Sequence, residues 1–167
     1  MNSDQDTTSD IYKLSVSALF EALLRETHDS VYFKDMESRF IFASDVQARK
    51  FGVSSPDELI GKTDFDFFSD EHAQQAYDDE QEILRTGQPI VNKTEKETWR
   101  DGSVTWVSTT KMPLHLKSGK IVGLLGISRD ITSQKIALDK LQESEARLRE
   151  QNHSMRMDYD SAHRVQD

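Results

Sequence analysis

Histidine is the side chain of this sequence best suited to chemistry, because a neutral imidazole can bind a metal ion or transfer a proton near pH 7. None of the histidines pairs with another histidine or with a carboxylate at a spacing typical of metal sites. The chain has no cysteine, which excludes disulfides, thiolate metal sites and cysteine nucleophiles. We therefore expect no metal centre. The histidines are His28, His72, His115, His153 and His163.

The other reactive side chains form no catalytic set. The sequence has no glycine-rich phosphate loop, no serine–histidine–aspartate arrangement and no paired catalytic carboxylates. We interpret the charge run at 78–82 as the solvated face of a helix. Asp64 and Asp66 are expected to cap short helices rather than to bind metal. The sequence therefore predicts that this region is not an enzyme.

The composition favours one acidic folded domain with polar flanks. The 167 residues carry a net charge of -9 and a mean hydropathy of -0.69. Because no basic stripe is present, nucleic acid and anionic membranes are poor candidates as partners. A membrane span needs about 18 consecutive apolar residues, and no apolar run approaches this length. The lack of cysteine is typical of cytoplasmic proteins, and we expect this protein to work in the cytoplasm. Residues 1–10 are polar and expected to be disordered.

The hydrophobic periodicity predicts an α+β fold. Apolar residues recur at helical spacing in two segments, and five segments have strand character. Between the first two strands and the longer helix, glycine and proline divide the chain into single-turn helices and loops. This order predicts a five-stranded antiparallel sheet with helices on one face. The predicted helices span 11–24 and 70–86, and the predicted strands span 31–34, 40–43, 90–99, 104–116 and 121–128.

The last predicted strand is apolar on both faces. Leu125 and Ile127 alternate with Val122 and Leu124. A sheet with one wet face should alternate apolar with polar residues. We therefore expect both faces to be covered, the second of them by the helix at 11–24 of this chain or of a partner.

After the last strand the periodicity changes from strand to helix. Residues 133–167 contain no glycine or proline and predict a long exposed helix. Leu138, Leu141 and Leu148 occupy heptad positions and predict the seam of a parallel homodimeric coiled coil. Glu145 weakens this seam. The alternative is a single solvated helix.

Several short motifs, in this order, resemble the PAS sensory domain family over roughly residues 20–132. Each is weak alone, but their number and spacing make the resemblance specific. One departure is Glu37-Ser38, where the family often has Asp-Gly in the first turn. The motifs are Tyr32–Asp35, Arg39–Phe42, Phe51-Gly52, Pro56–Lys62, Thr63–Phe68, Thr86–Ile90, Asp101-Gly102 with Trp106, Lys111–Leu114 and Gly126–Thr132.

The resemblance implies a PAS domain over 25–132, with a small cavity on the helical side of the sheet and a signal relay at its C-terminal edge. The relay residues are Arg129, Asp130, Ile131 and Thr132, which resemble the family's signalling motif. The alternative is that Asp130 and Thr132 only cap the following helix. The bulky candidates for the cavity lining are Phe51, Phe65, Phe68 and Trp106, although ordinary core packing is the more common role of such residues.

The resemblance leaves the cofactor unknown. His72 lies in the helix from which haem-binding relatives draw their iron ligand, but its place in the first turn favours exposure to solvent over haem binding. The absence of cysteine excludes the flavin–cysteinyl photochemistry of light-sensing relatives.

The function implied is that of a bacterial regulatory module. It would detect a small ligand or partner and signal through a dimeric C-terminal helix to an effector in a longer protein. Residues 157–166 faintly resemble the helix that leads into metal-dependent serine/threonine phosphatases, and a histidine kinase or a diguanylate cyclase are the other effectors considered. The alternative function is a ligand-free dimerisation adaptor, and this region is expected to make no contact with a membrane.

Overall fold

The computed structural model describes residues 14–163 and has a five-stranded antiparallel sheet, with the helices between β2 and β3 packed on one face. The sheet order is β2-β1-β5-β4-β3, so the last strand lies in the centre. This confirms the predicted α+β class and the predicted sheet. The strands are β1 Ser30–Lys34, β2 Phe40–Ala43, β3 Ile90–Thr98, β4 Val104–His115 and β5 Ile121–Asp130. The helices are α1 Val16–Glu26, α2 Asp45–Lys50, α3 Asp70–Thr86 and α4 Thr132–His163, with 3₁₀ helices at Pro56–Leu59 and Asp64–Asp66.

Helix α3 has the bounds that its end signals predict. The Ser69 hydroxyl accepts a hydrogen bond from the His72 backbone N–H at 3.3 Å, which satisfies one free donor of the first turn. The helix ends at Gly87, whose φ of 72° lies in the left-handed region that residues with a Cβ rarely adopt. Ser55 caps the first 3₁₀ helix, and Pro56 occupies its first position, where its missing N–H costs nothing.

The centre of the sheet depends on one close approach. Gly126 of β5 pairs with Tyr32 of β1, and the Tyr32 ring lies across the glycine. A Cβ at residue 126 would be 2.1 Å from Cζ of that ring. The absence of a side chain at Gly126 therefore lets Tyr32 turn inward over the central strand.

The core lies between the sheet and the helices. It is formed by fully buried apolar side chains on the helical side, including Leu59, Ile83, Val107 and Leu124. Phe51 extends this core, with ring contacts to Phe40, Phe67, Phe68 and Trp99. Burial of such side chains supplies the main driving force for folding.

The other face of the sheet is only partly covered. Phe33, Met112, Leu125 and Ile127 are half-buried on this face. Helix α1 contributes the Phe20 ring, whose centroid lies 5.9 Å from that of Phe42. None of the α1 residues is buried, so α1 covers this face less completely than the sequence predicts.

Helix α1 also differs from its predicted bounds. It begins at Val16, after the Ser15 cap, and continues to Glu26. The predicted start at residue 11, like the predicted disorder of residues 1–10, lies outside the described residues.

Residues 131–167 form a second compact unit, of which the structure describes helix α4 up to His163. The side chains of Leu138, Leu141 and Leu148 are about half exposed on this helix. An intrahelical ion pair joins Lys135 to Asp139 at 3.1 Å. The dimeric seam stays a prediction. Over the described residues, no helix combines the length and apolar character that crossing a bilayer requires.

Candidate functional site

Four charged side chains meet beneath the sheet and form what we call the buried ion cluster: Lys34, Asp64, Glu80 and Lys111. The Lys34 ammonium donates to Asp64 Oδ2 at 2.8 Å and to Glu80 Oε1 at 2.7 Å. Lys111 donates to the same Glu80 oxygen at 3.3 Å. The Lys34 and Glu80 side chains are each only 1% exposed. Charges buried so completely need partners of opposite sign, because desolvation alone is strongly unfavourable.

Each member of the cluster comes from a different element. Lys34 ends β1 on the same face as Tyr32, and Lys111 faces inward from β4 in alternation with Val107 and Thr109. Glu80 points to the sheet from the buried side of α3, while Asp64 opens the second 3₁₀ helix. The cluster therefore ties the helical layer to two strands of the sheet.

The cluster favours the charged forms of Asp64, Lys111 and Lys34. Burial by itself raises the pKa of Asp64, but the Lys34 and Lys111 ammonium groups outweigh burial and leave that pKa below its ordinary value. Burial likewise lowers the pKa of Lys111, yet the neighbouring carboxylates, Glu80 first, hold it well above its usual range. The pKa of Lys34 is raised as well, since Asp64 and Glu80 overcome the effect of burial.

A small polar cavity of about 30 Å³ adjoins the cluster. Its walls include the side chains of Tyr32, Asp64, Glu95, Lys111 and Ser128. Burial raises the pKa of the Tyr32 hydroxyl, so this group stays protonated and can donate. Since about 30 Å³ is the volume of one water molecule in the liquid, the cavity as it stands suits water and little else.

Two carboxylate oxygens in this region are buried without a hydrogen-bond partner: Glu80 Oε2 and Glu95 Oε1. Lys93 Nζ approaches Glu95 Oε1 to 3.5 Å without making a hydrogen bond to it. Buried polar atoms are nearly always hydrogen-bonded in folded proteins. Such oxygens therefore mark a place where a water molecule or a ligand can supply the missing donors.

A second, larger cleft of about 130 Å³ lies between α3 and β3. His72, Ala76 and Glu95 line both this cleft and the small cavity. The remaining lining residues are Gln75, Lys93, Thr94 and Lys96. These shared residues form the wall between the interior of the domain and a cleft at its edge.

Only part of the predicted cavity lining contributes to these spaces. Phe51 and Phe68 line the small cavity. Phe65 lies elsewhere, with its ring 6.3 Å from that of Tyr77. Trp106 occupies the opposite face of the sheet, because it alternates along β4 with the inward residue Val107.

A comparison with known protein families agrees with the fold described above. The family model described as the PAS fold matches residues 24–136. The chain belongs to the PAS fold family. As expected of a PAS domain, the region is sensory or regulatory and is not itself catalytic.

Two curated relatives of this PAS domain are signalling proteins. The methanogenesis regulatory histidine kinase FilI of Methanothrix harundinacea is 32% identical over 118 residues, which are 71% of this chain and 13% of the relative. A diguanylate cyclase of Vibrio cholerae is 29% identical over 116 residues, 69% of this chain and 36% of the relative. The chain thus spans only a minor part of either relative. These matches indicate that the PAS domain is a module of signal transduction.

A solved structure shares the fold. The Vibrio cholera VqmA–ligand–DNA complex superposes with a TM-score of 0.61 at 22% identity, over 71% of this chain and 51% of that one. At this identity the likeness concerns the fold of the PAS domain and not its ligand.

The cluster overturns two interpretations of the sequence. Glu80 is completely buried, although the charge run at 78–82 predicts a solvated face, and Asp79 of that run pairs with Lys93. Asp64 binds Lys34 rather than only capping a helix. Asp66 does cap, since its carboxylate accepts from the Thr63 backbone N–H at 2.8 Å.

Of the histidines whose side chains the structure describes, only His72 lies at the candidate site. It is half-buried, and its ring lies 4.7 Å from that of Phe68. Within residues 14–163, no group of three or more histidine or acidic side chains is arranged to hold a metal ion. The geometry thus gives His72 a place in the cavity wall.

The predicted relay residues lie on both sides of the boundary between the two units. Arg129 and Asp130 end β5, whereas Ile131 and Thr132 belong to the helical unit. The Arg129 guanidinium donates to both carboxylate oxygens of Asp29 at 2.9 Å. This hydrogen-bonded pairing lowers the pKa of Asp29. Arg129 therefore joins the end of β5 to the residue that precedes β1.

Proposed function

We propose that this chain is the sensory module of a signal-transduction protein. In this proposal a small polar ligand or a partner is detected at the cleft of about 130 Å³ between α3 and β3, which shares part of its wall with the cavity beside the buried ion cluster. The change passes through β5 to the C-terminal helix and from there to an effector. The relay residues are those predicted from the sequence, Arg129, Asp130, Ile131 and Thr132.

The observation that carries the proposal is the buried ion cluster together with two buried carboxylate oxygens that accept no hydrogen bond, Glu80 Oε2 in the cluster and Glu95 Oε1 beside it. Buried ion pairs contribute little net stability, because desolvation offsets most of their attraction. A domain of this size could fill the same space with apolar side chains. A polar interior with free acceptor atoms is thus better explained by recognition than by stability.

The cluster is also well placed to move the central strand. Lys34 pairs in register with Leu124 of β5, and Lys111 pairs with Gly126 two residues further along. Both lysines hold the same Glu80 oxygen. A ligand that displaces Glu80 therefore changes the contacts of β1 and β4 together, on the two sides of β5.

The proposal also covers the output of the module, which consists of helix α4 and the effector. We expect α4 to pair as a parallel homodimer through Leu138, Leu141 and Leu148. The effector would be a serine/threonine phosphatase, a histidine kinase or a diguanylate cyclase, the last two being the activities named for the curated relatives. We place the module in the cytoplasm. The net charge of -9 argues against direct nucleic-acid binding by this region.

Native mass spectrometry of the purified chain, with an absorption spectrum, tests the proposal. We expect a mass of twice 19.2 kDa and an added small-molecule mass after incubation with a polar metabolite extract. We expect no visible absorption band. A chain that stays unliganded in every extract, and whose hydrogen exchange in β5 never changes, would refute the sensory function.

One observation favours the second candidate, a ligand-free dimerisation adaptor. The cavity beneath the sheet has a volume of only about 30 Å³. An adaptor would show the dimer mass with no dependence on small molecules. The same experiment therefore separates the two functions.

A further inference from the structure

We propose that a groove between α1 and β2 is a docking site for a basic amphipathic helix of a partner protein. This α1–β2 groove has a volume of about 480 Å³ and is lined by residues of α1, of β2 with the start of α2, and of the segment 56–60. It lies at the β2 edge of the sheet, whereas the cleft between α3 and β3 lies at the opposite edge. The inference therefore goes beyond the detection of a ligand and does not depend on it.

The groove has an apolar lining that is open to solvent. Ile41 and Ile60 are 49% and 46% exposed, and they line the groove together with Leu24 of α1. Single exposed apolar side chains are common on proteins, but apolar side chains gathered in one place and surrounded by polar residues mark interaction sites. The groove therefore offers apolar surface that a partner can cover.

The rim of the groove is acidic. Glu21, Asp45 and Asp57 are exposed and line the groove. Among the residues that the structure describes, none of these carboxylates has an ion-pair partner, and the Arg25 side chain beside them already pairs with Glu26 at 3.2 Å. Because complementary charges select partners across an interface, the rim favours a partner with basic side chains beside its apolar face.

The edge of β2 is poorly suited to pairing with an added strand. The Phe40 N–H donates to the Lys62 carbonyl at 2.9 Å, and the Phe40 carbonyl accepts from the Gly61 N–H at 2.8 Å, so part of the edge is already paired. The register of β1 and β2 also shifts beside Ile41, and such an irregularity hinders further pairing. A partner is therefore expected to contact the groove through side chains.

Helix α1 gives the partner its shape. It forms one wall of the groove, and its 11 residues make a rod about 16 Å long. Helices pack against each other by fitting side chains between those of the neighbour. A partner helix of about three turns, with apolar residues at i, i+4 and i+7, therefore matches the length of this wall.

Three synthetic helical peptides of equal length test the proposal, with binding to the purified chain measured by fluorescence anisotropy. The basic peptide has leucine on one face, at i, i+3, i+4 and i+7, and lysine on the other. In the acidic peptide glutamate replaces lysine, and in the polar peptide serine replaces leucine. We expect the basic peptide to bind at least about tenfold tighter than either of the others.

Two substitutions in the lining separate docking from general attraction between opposite charges. Ile60→Asp makes the chain more acidic, so general attraction would tighten binding of the basic peptide, whereas loss of the apolar contact should weaken it at least about tenfold. Ile41→Ser should weaken it as well, with no change of charge. Val91→Asp is the matched control, because Val91 is 62% exposed on the opposite edge strand. It should leave the Kd of the basic peptide nearly unchanged.

A double variant tests the acidic rim. Asp45→Asn with Asp57→Asn should weaken the basic peptide at least about threefold, and by less at high salt. Asp70→Asn with Glu71→Gln is the matched control, since it removes two exposed charges from the first turn of α3. It should bind the basic peptide like the parent chain.

Three results would refute the proposal. The first is an acidic or polar peptide that binds as tightly as the basic one. The second is a normal Kd of the basic peptide for both lining variants, or for the rim variant. The third is a loss of the dimer mass in native mass spectrometry of the lining variants with no change in the Kd of the peptide, which would make the groove a contact between two copies of this chain. Detection of a ligand at the opposite edge stands or fails separately, because none of these variants alters that cleft.

Discussion

Replacing Lys34 by methionine tests whether the ion cluster holds the two layers of the domain together. Methionine keeps most of the length and volume of lysine, so the change removes mainly the charge. Lys34→Met takes away the donor that lies 2.8 Å from Asp64 Oδ2 and 2.7 Å from Glu80 Oε1. It leaves two carboxylates in the interior with one ammonium group between them.

The expected loss of folding stability follows from the charges that remain in the interior. Removing one partner of a buried pair typically costs about 3–5 kcal/mol, because an uncompensated charge is left behind. Glu80 keeps Lys111 at 3.3 Å, so most of the penalty falls on Asp64. The ammonium also lies 4.6 Å from the centre of the Phe40 ring, a contact worth about 0.5–2 kcal/mol. We expect a loss of about 3–5 kcal/mol, a large part of the about 5–15 kcal/mol of a typical domain.

Urea unfolding followed by circular dichroism at pH 7 measures this loss. We expect the midpoint to fall by about 2 M. Lys117→Met, in the exposed β4–β5 turn, is the matched control and should change the midpoint little. The double variant Lys34→Met with Asp64→Asn should recover at least half of the lost stability, since a neutral amide then replaces the carboxylate that has no lysine partner.

The dependence on pH gives an independent check. The lowered pKa of Asp64 means that its contribution is present above about pH 3.9 and is lost as the pH falls through its value in the folded protein. In Lys34→Met the stranded carboxyl is easier to protonate, so the gap to the parent chain should narrow as the pH is lowered from 7 to 4. A loss below about 1 kcal/mol at pH 7, or a gap that does not change with pH, would refute the reasoning.

Three further predictions concern other parts of the chain. Gly126→Ala should cost more than about 1 kcal/mol in the same urea assay, because the new methyl group would overlap the Tyr32 ring; an unchanged midpoint would contradict the close approach. The chain has no cysteine, so Leu141→Cys should form disulfide dimers under mild oxidation. Glu143→Cys, on the opposite side of the helix, should not. Equal crosslinking of both variants would refute the seam. Asp130→Ala should leave fold and dimer intact, as measured by circular dichroism and native mass, and uncouple the effector in the full-length protein; unfolding of the domain would show that Asp130 is only a cap.

The elements of the fold could be predicted because their signals are local. Helix α3 has a serine before its first turn and a glycine after its last, and the hairpin strands are short apolar runs. The C-terminal end of β5 was harder to predict from the sequence. The strand continues to Asp130 because that residue pairs with Val107 of β4, a contact between residues far apart in the sequence.

The ion cluster could not be predicted in the same way, because its members lie on four separate elements. Glu80 is surrounded in sequence by other acidic residues, which favours the interpretation as a solvated face. One signal was present. Lys111 occupies an inward position of β4, in step with Val107 and Thr109, and a lysine in such an alternation needs a buried partner.

The shared Glu80 oxygen has a consequence for how this sequence can change over evolutionary time. The two positive and two negative charges of the cluster balance, so replacing any one of its residues by an uncharged one leaves an uncompensated charge in the interior. Each single replacement therefore gives a less stable protein, and a second replacement in the cluster restores the balance of charge and the stability. Among descendants of a common ancestor, these four positions should be exchanged together, as a charged set or as an uncharged one. A comparison of many such sequences would show this linked inheritance at positions separated by tens of residues along the chain.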